Sequence, residues 1–213
     1  MTEEFTALAG GEPKGSALDL LHIVRINEEI KSVVAVAFKI NIMALNAIFL
    51  AKRAGTAALG FGVLSNELRR FASDLQQQMT VLREATYGSV STVTTLLKQS
   101  RISRLLERTR IEAQGESKAL IQLLVNHRDE SMLAGNDQQM TILNRRLSHM
   151  IADTAQLVEL GSVLARSAKI EAAYGGSFST SLMQVSSDFE KTIGEIQRSL
   201  ESLTKNQPED LVA

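Results

Sequence analysis

The chain has 213 residues, a formal net charge of −1, no cysteine and two prolines, Pro13 and Pro208. The lack of cysteine excludes disulfide bonds, thiolate metal sites and cysteine nucleophiles. A net charge near zero gives no broad basic field for nucleic acid or an acidic membrane surface. Because no proline occurs between residues 14 and 207, the backbone can be helical throughout that range. Residues 1–15 are acidic and glycine-rich, so we expect a disordered tail and neither a signal nor a transit peptide.

The first long apolar stretch, Val33–Ala51, contains one charge, Lys39, and two asparagines. A membrane-spanning helix needs about 20 mainly apolar residues, and a central lysine costs about 3 kcal/mol on insertion. Apolar residues at alternating spacings of three and four begin well before the stretch, which favours a helix buried by other helices of the same chain over a membrane span. The residues of this stripe are Ile23, Ile26, Ile30, Val33, Ala37, Ile40, Ala44, Ala47, Ala51 and Ala54.

The same spacing recurs three times further along the chain and no segment alternates with period two, so we predict an all-α protein. The three stripes are Phe61, Leu64, Leu68, Phe71, Leu75, Gln78 and Leu82; Met140, Leu143, Leu147, Met150, Thr154, Leu157, Gly161, Leu164 and Ala168; and, with one slip, Leu182, Val185, Phe189, Thr192, Ile196, Leu200 and Leu203.

Glycines mark the predicted breaks between helices, and capping-type pairs that begin at Ser16 and Asn136 mark two helix starts. The breaks are at 55–60, Gly88, Gly115, Gly135 and 175–176. A shift of 121 residues places the first segment on a later one, with Gly55 on Gly176. This weak repeat predicts two helical hairpins.

The predicted hairpins span residues 16–86 and 137–205, and they pack as an elongated antiparallel four-helix coiled-coil bundle because one hairpin cannot bury its own apolar stripe. Residues 87–136 form an inserted helix pair folded at Gly115, or extensions of the flanking helices. Residues 206–213 form a C-terminal tail.

Residues 36–75 resemble the signalling hairpin tip of methyl-accepting chemotaxis proteins. The matching residues occur in order and without a gap: Ala37, Asn41, Ala44, Leu45, Asn46, Ala47, Ala51, Arg53, Ala54, Gly55, Gly60, Phe61, Val63, Glu67, Arg69 and Ala72. The segment LARSAKIEAAYGG (164–176) resembles the same tip less closely.

In that family a dimer of hairpins forms a four-helix cytoplasmic bundle, and its tip binds the chemotaxis histidine kinase and its coupling adaptor. The resemblance therefore implies a non-enzymatic, cytoplasmic signalling protein with those partners, or with other chemoreceptors, or with a second tip of its own kind. It assigns partner contacts to Phe38, Asn41, Leu45, Arg53, Leu59, Phe61, Val63, Glu67 and Glu171.

The sequence departs from the family at the tip. Leu50 and Lys52 replace a glutamate and an alanine of the family pattern, the first turn lacks its usual charged pair, and the second turn is shortened to residues 175–178. These changes put kinase coupling in doubt. A structural or assembly coiled coil without kinase coupling is therefore the alternative, and a small-molecule sensor using residues 87–136 is a third.

Two further sites are predicted. Gln76 and Gln77 approximate the family's adaptation-methylation pattern, and the alternative is a solvated polar face with Gln78 in the apolar seam. Glu171 either pairs with a basic residue across the bundle or contributes to the tip contact. The three histidines lack metal-ligand spacing, and no nucleophile–base pair or phosphate loop occurs, so we predict no metal, cofactor or enzymatic activity.

Overall fold

A computed structural model describes residues 14–205, apart from the side chains of residues 14–20, 22, 127–137, 140 and 205. The predicted tails at 1–15 and 206–213 lie outside this range, except that residues 14 and 15 begin the first helix. The described chain is all-helical and has no strand. Its four helices are α1 (Lys14–Ala54), α2 (Leu59–Glu112), α3 (Glu116–Ala173) and α4 (Ser179–Lys205).

Three glycines with positive φ lie in the turns that join the helices. Gly55 (φ +68°) and Gly176 (φ +57°) begin the short 3₁₀ turns Gly55–Ala58 and Gly176–Phe178, and Gly115 (φ +63°) lies in the turn between α2 and α3. Left-handed backbone carries no steric penalty at glycine, which explains why the chain reverses at these positions.

Two of the predicted breaks are wrong. Gly88 lies inside α2 and Gly135 lies inside α3, so no helix starts at Asn136. An interior glycine costs a helix only about 1 kcal/mol relative to alanine, which good helix formers on either side can offset. Residues 87–136 therefore consist of the end of α2 and the beginning of α3, joined by the turn near Gly115.

The described chain divides into two compact units. Among the described residues, the turn unit contains 14–24 and 85–146, and the bundle unit contains 25–84 and 147–205. In the turn unit, Arg110 bonds Glu107 on α2 (Nε to Oε2, 2.8 Å) and donates from Nη1 to Gln122 Oε1 on α3 (3.1 Å). The hydrogen bond from Arg110 lowers the pKa of Glu107.

In the bundle unit, the four helices pack in the cyclic order α1, α2, α3, α4. One contact for each neighbouring pair is Ala51 with Gly62, Phe71 with Gly161, Lys169 with Glu190, and Thr192 with Met43. α1 and α4 also meet where Lys39 Nζ lies 3.8 Å from Glu195 Oε2. Compared with the Met43–Thr192 contact, this one lies earlier in the sequence of α1 and later in the sequence of α4. These two helices are therefore antiparallel.

The predicted stripe on α1 is the buried face of that helix. All nine positions from Ile23 to Ala51 are at most 5% exposed, and Ala54 is half-buried. On the other three helices the predicted phase is partly wrong. Ser65, Met79, Ile151, Val158, Ala165 and Ser186 are buried, whereas Leu64, Gln78, Met150, Leu157, Leu164 and Val185 are half-buried.

Close approach between helices explains why small residues take inner positions. The Ser65 hydroxyl donates to the Phe61 carbonyl (2.8 Å), and the Ser186 hydroxyl donates to the Leu182 carbonyl (2.9 Å). A serine that bonds the preceding turn of its own helix has no unsatisfied group when it is buried. The larger neighbouring side chains cover the flanks of the core instead.

The 121-residue repeat is visible in the burial pattern of the bundle unit. Sixteen buried positions on α1 and α2 are each matched by a buried residue 121 positions later. The first set is Ile26, Ile30, Val33, Ala37, Ile40, Ala44, Ala47, Ala51, Phe61, Ser65, Leu68, Phe71, Ala72, Leu75, Met79 and Leu82. The second set is Leu147, Ile151, Thr154, Val158, Gly161, Ala165, Ala168, Ala172, Leu182, Ser186, Phe189, Thr192, Ile193, Ile196, Leu200 and Leu203.

Two buried residues of the bundle unit, Ala58 and Gly175, fall outside this match, and both lie at turns. The offset is the same before and after the turns, and Gly55 and Gly176 are equivalent by it. The predicted shortening of the second turn is therefore wrong: the same number of residues separates the matched buried positions on either side of each turn, Ala51 and Phe61 in the first hairpin and Ala172 and Leu182 in the second.

Candidate functional site

An open groove of about 650 Å³ lies between α1 and α2 in the bundle unit, and we call it the α1/α2 groove. Its lining residues are Asn41, Val63, Asn66, Glu67, Arg69, Arg70, Ser73 and Gln76. Those on α2 recur at spacings of three and four, so they share the face of α2 that borders α1.

Part of the groove lining is held in place by local bonds. Arg70 Nη1 lies 3.0 Å from Glu67 Oε1, Asn66 Nδ2 donates to the Gly62 carbonyl (3.1 Å), and Thr80 donates to the Gln76 carbonyl (3.0 Å). These bonds leave the groove with amides, a hydroxyl, guanidinium groups and one carboxylate beside the exposed Val63 side chain. Such a mixture of donors, acceptors and apolar surface suits contact with another protein.

Four predicted site residues line this one groove. Asn41 comes from α1, and Val63, Glu67 and Gln76 come from α2. Asn66, Arg69, Arg70 and Ser73 are additional lining residues that the sequence analysis missed. Their helical spacing from Glu67 was the available signal.

Two other predicted contact residues lie on the face of α1 that points away from the core. Phe38 is 58% exposed and Leu45 is half-buried, and the same face carries Ile42 and Phe49, which are 42% and 63% exposed. We call Phe38, Ile42, Leu45 and Phe49 the outer stripe. The sequence analysis missed Ile42 and Phe49, although the spacing of four, three and four residues is a second helical pattern beside the core stripe.

The remaining predicted contacts differ in exposure. Arg53 and Leu59 are exposed beside the first turn, and Leu59 is 66% exposed. Phe61 is fully buried. Its assignment to a contact surface is therefore wrong, because this ring belongs to the core.

Glu171 is half-buried on α3, with its carboxylate over Gly60 of α2, where a Cβ atom would collide with it. Glycine at position 60 thus makes room for this carboxylate. Among the described residues Glu171 has no ion-pair partner. The first of its two predicted roles, a salt bridge across the bundle, is therefore not seen there, and the tip contact stays a prediction.

A second depression, of about 460 Å³, lies between α2 and α3 and includes Gln77 and Gln78. Gln77 is exposed, whereas the Gln78 Oε1 atom is buried and has no hydrogen-bond partner. Gln76 faces the α1/α2 groove, so the two predicted modification residues open onto different sides of α2. In the described part of the chain, no group of three or more His, Cys, Asp or Glu residues could hold a metal ion.

One helical stretch in the described residues, within Ile23–Glu112, is long and apolar enough to cross a membrane by length and composition. An 18-residue window in it has a mean hydropathy of 2.1, and 28% of that window is buried. One helix of this kind is a weak indication, since the core helix of a soluble protein passes the same test. The buried share matches the three–four spacing, which places about two of every seven residues on the buried face. The outer stripe raises the hydropathy of the window, because α1 is apolar on two faces.

No protein-family model, curated protein or solved structure matches the chain. The resemblance to chemotaxis proteins therefore remains a hypothesis.

Proposed function

We propose that the protein is a non-enzymatic, cytoplasmic signalling or scaffold protein of the chemoreceptor type. It acts by contacting partner proteins at the α1/α2 groove and at the turns of the bundle unit. Its partners are a chemotaxis histidine kinase and its coupling adaptor, or other chemoreceptors. In this proposal the four helices form an elongated antiparallel coiled coil, and the two hairpins of one chain take the place of a dimer.

The observation that supports this proposal is the composition of the groove. The resemblance alone assigns contact roles to Asn41, Val63 and Glu67, which lie on two different helices. All three line a single open groove. The repeated burial pattern gives further support, because a chain that replaces a dimer needs two hairpins with equivalent cores.

A binding experiment with a matched control tests the proposal. The full chain is incubated with purified chemotaxis kinase and adaptor, and co-sedimentation and kinase activity are measured. We expect N41A/E67A to weaken retention, because these changes remove an amide and a carboxylate from the groove. The control S162A/D188A changes the equivalent positions 121 residues later and should leave retention unchanged.

The outcome that would refute the proposal is equally specific. If the wild-type chain is not retained and kinase activity does not change, the alternative of an assembly protein without kinase coupling is favoured. The buried Phe61 is a poor test residue, since its truncation would unfold the core rather than remove a contact.

A further inference from the structure

The first hairpin has a concentration of positive charge that the net charge of −1 conceals. Residues 30–66 contain four basic residues and no acidic residue. These are Lys31, Lys39, Lys52 and Arg53. The equivalent segment of the second hairpin, residues 151–187, has three acidic and two basic residues. The two segments therefore carry net charges of +4 and −1, although they share one pattern of buried residues.

The outer stripe shows the same difference between the hairpins. Two of its four positions differ at the 121-residue offset: Phe38 and Leu45 correspond to Glu159 and Arg166 on α3, whereas Ile42 and Phe49 correspond to Val163 and Ile170, which are also apolar and exposed. The second hairpin builds an equivalent core with these charged residues outside. Apolar residues at positions 38 and 45 are therefore not required by folding. They make the apolar stripe continuous on α1 alone, and a continuous exposed apolar surface normally marks an interaction site.

Basic residues stand at the end of the stripe nearest the turn. Lys52 and Arg53 are exposed, and neither has a carboxylate partner among the described residues. Cations in the last turn of a helix also interact with the helix dipole. α3 nevertheless reaches its own turn with Ala173 and Tyr174 at the equivalent positions, so the turn itself does not require them.

We propose that the outer face of α1 docks on the surface of an anionic lipid bilayer. The outer stripe enters the boundary between headgroups and acyl chains, while Lys52 and Arg53 contact anionic headgroups. Lys31 and Lys39 are already paired with Glu28 (2.7 Å) and Glu195 (3.8 Å), so the attraction comes mainly from the two residues next to the turn. A second copy of the chain is a poor occupant, since stripe-to-stripe contact would bring only positive charges together in this segment. Neither of the two depressions described above includes a stripe residue, and a ridge without a groove suits a lipid surface.

This inference goes beyond the proposed function and can be tested separately. The full chain is mixed with vesicles of phosphatidylcholine alone, or with added phosphatidylserine, and bound protein is measured by flotation at low and high salt. We expect binding to the anionic vesicles only, and weaker binding at high salt because salt screens the attraction.

Two variants divide the contributions of the stripe and the charges. F38E/L45R copies the residues of α3, leaves the net charge unchanged and should abolish binding while the helical circular-dichroism signal stays intact. K52Q/R53Q should reduce the affinity about 25-fold, on the basis of about tenfold for each 1.4 kcal/mol and roughly 1 kcal/mol for each basic residue near an anionic surface. The groove variant N41A/E67A should bind vesicles like the wild type, so that failure of the kinase experiment does not affect this one.

Several outcomes would overturn the inference. Equal binding to neutral and anionic vesicles, or binding to neither, would contradict it. A concentration-dependent dimer that forms without lipid and is lost in F38E/L45R would identify a second copy as the occupant. Cellular protein that resists alkaline carbonate and is released only by detergent would show that α1 spans the bilayer rather than lying on it.

Discussion

The contact between Gly161 and Phe71 gives a quantitative test of the internal repeat. A Cβ atom at Gly161 would lie 2.5, 2.7 and 2.8 Å from three atoms of the Phe71 ring, so the ring occupies the space of the missing side chain. At the 121-residue offset, the equivalent pair on α1 and α4 is Ile40 and Thr192, both buried. Large and small side chains are thus exchanged between the two interfaces.

Each single exchange should destabilise the bundle. Phe71→Thr removes most of a buried ring, and we expect a loss of about 3–4 kcal/mol in the free energy of unfolding. Gly161→Ile inserts a branched side chain where the ring lies. Overpacking should cost about 2–3 kcal/mol even after the gain in helix propensity. Independent effects would therefore sum to roughly 6 kcal/mol.

The double variant F71T/G161I should lose no more than about 2 kcal/mol of unfolding free energy, because it copies the residues of the other interface. The difference from the additive sum, a coupling energy of about 4 kcal/mol, exceeds the usual range for contacting residues. Guanidinium denaturation followed by far-UV circular dichroism measures the four unfolding free energies. The reciprocal pair I40G/T192F is the control and should show coupling of the same sign. Additive effects in either cycle would refute the equivalence of the two interfaces.

Four other predictions concern single residues. Gly55→Ala should destabilise the chain by about 1 kcal/mol in denaturation experiments, because φ at this position is +68°. Gly88→Ala should stabilise the chain by up to about 1 kcal/mol, because position 88 lies inside α2 and no atom lies within 4 Å of the new methyl group. Gln78→Met should stabilise the chain by about 1–2 kcal/mol in the same assay, since the buried Oε1 atom has no partner. The hydrogen bond from Arg110 lowers the pKa of Glu107, so the ionised carboxylate stabilises the turn unit at any pH above its usual pKa and this stabilisation is lost as the pH falls through the lowered pKa. Hydrogen-exchange protection near Arg110 should therefore drop at acid pH in the wild type. An equal drop in the E107Q variant would contradict this.

The buried face of α1 could be predicted from sequence because each of its inner positions is apolar and the three–four spacing is unbroken. The phase of α2 and α3 could not be predicted in the same way. Hydrophobicity alone ranks Leu64 and Leu164 above Ser65 and Ala165, but close approach of two helices selects the smaller side chain. The pattern therefore located each helix correctly, but it assigned part of the buried face to residues adjacent to those that are buried.

Glycine gave mixed information about the helix ends. Gly55, Gly115 and Gly176 end helices because the chain needs positive φ there, whereas Gly88 and Gly135 lie in helices. Sequence alone does not distinguish a glycine that ends a helix from one inside a helix, since the difference depends on whether the backbone reverses direction at that residue. The candidate site shows a similar limit: the resemblance named Phe61 and Glu67 together, yet only Glu67 reaches the groove, because a position in a motif does not specify which way the side chain points.

The two hairpins together separate the residues that fold the bundle from those available for other roles. Buried positions must satisfy packing, and they agree at the 121-residue offset at all sixteen helical sites. Outer positions are free of that requirement, and there residues 30–66 of the first hairpin carry more apolar residues and only positive charges, while residues 151–187 of the second carry charges of both signs. An exchange of outer residues between equivalent positions should therefore leave the unfolding free energy within about 0.5 kcal/mol of the wild type and change only what the surface binds. For this reason we place both the partner groove and the lipid-binding face on the first hairpin.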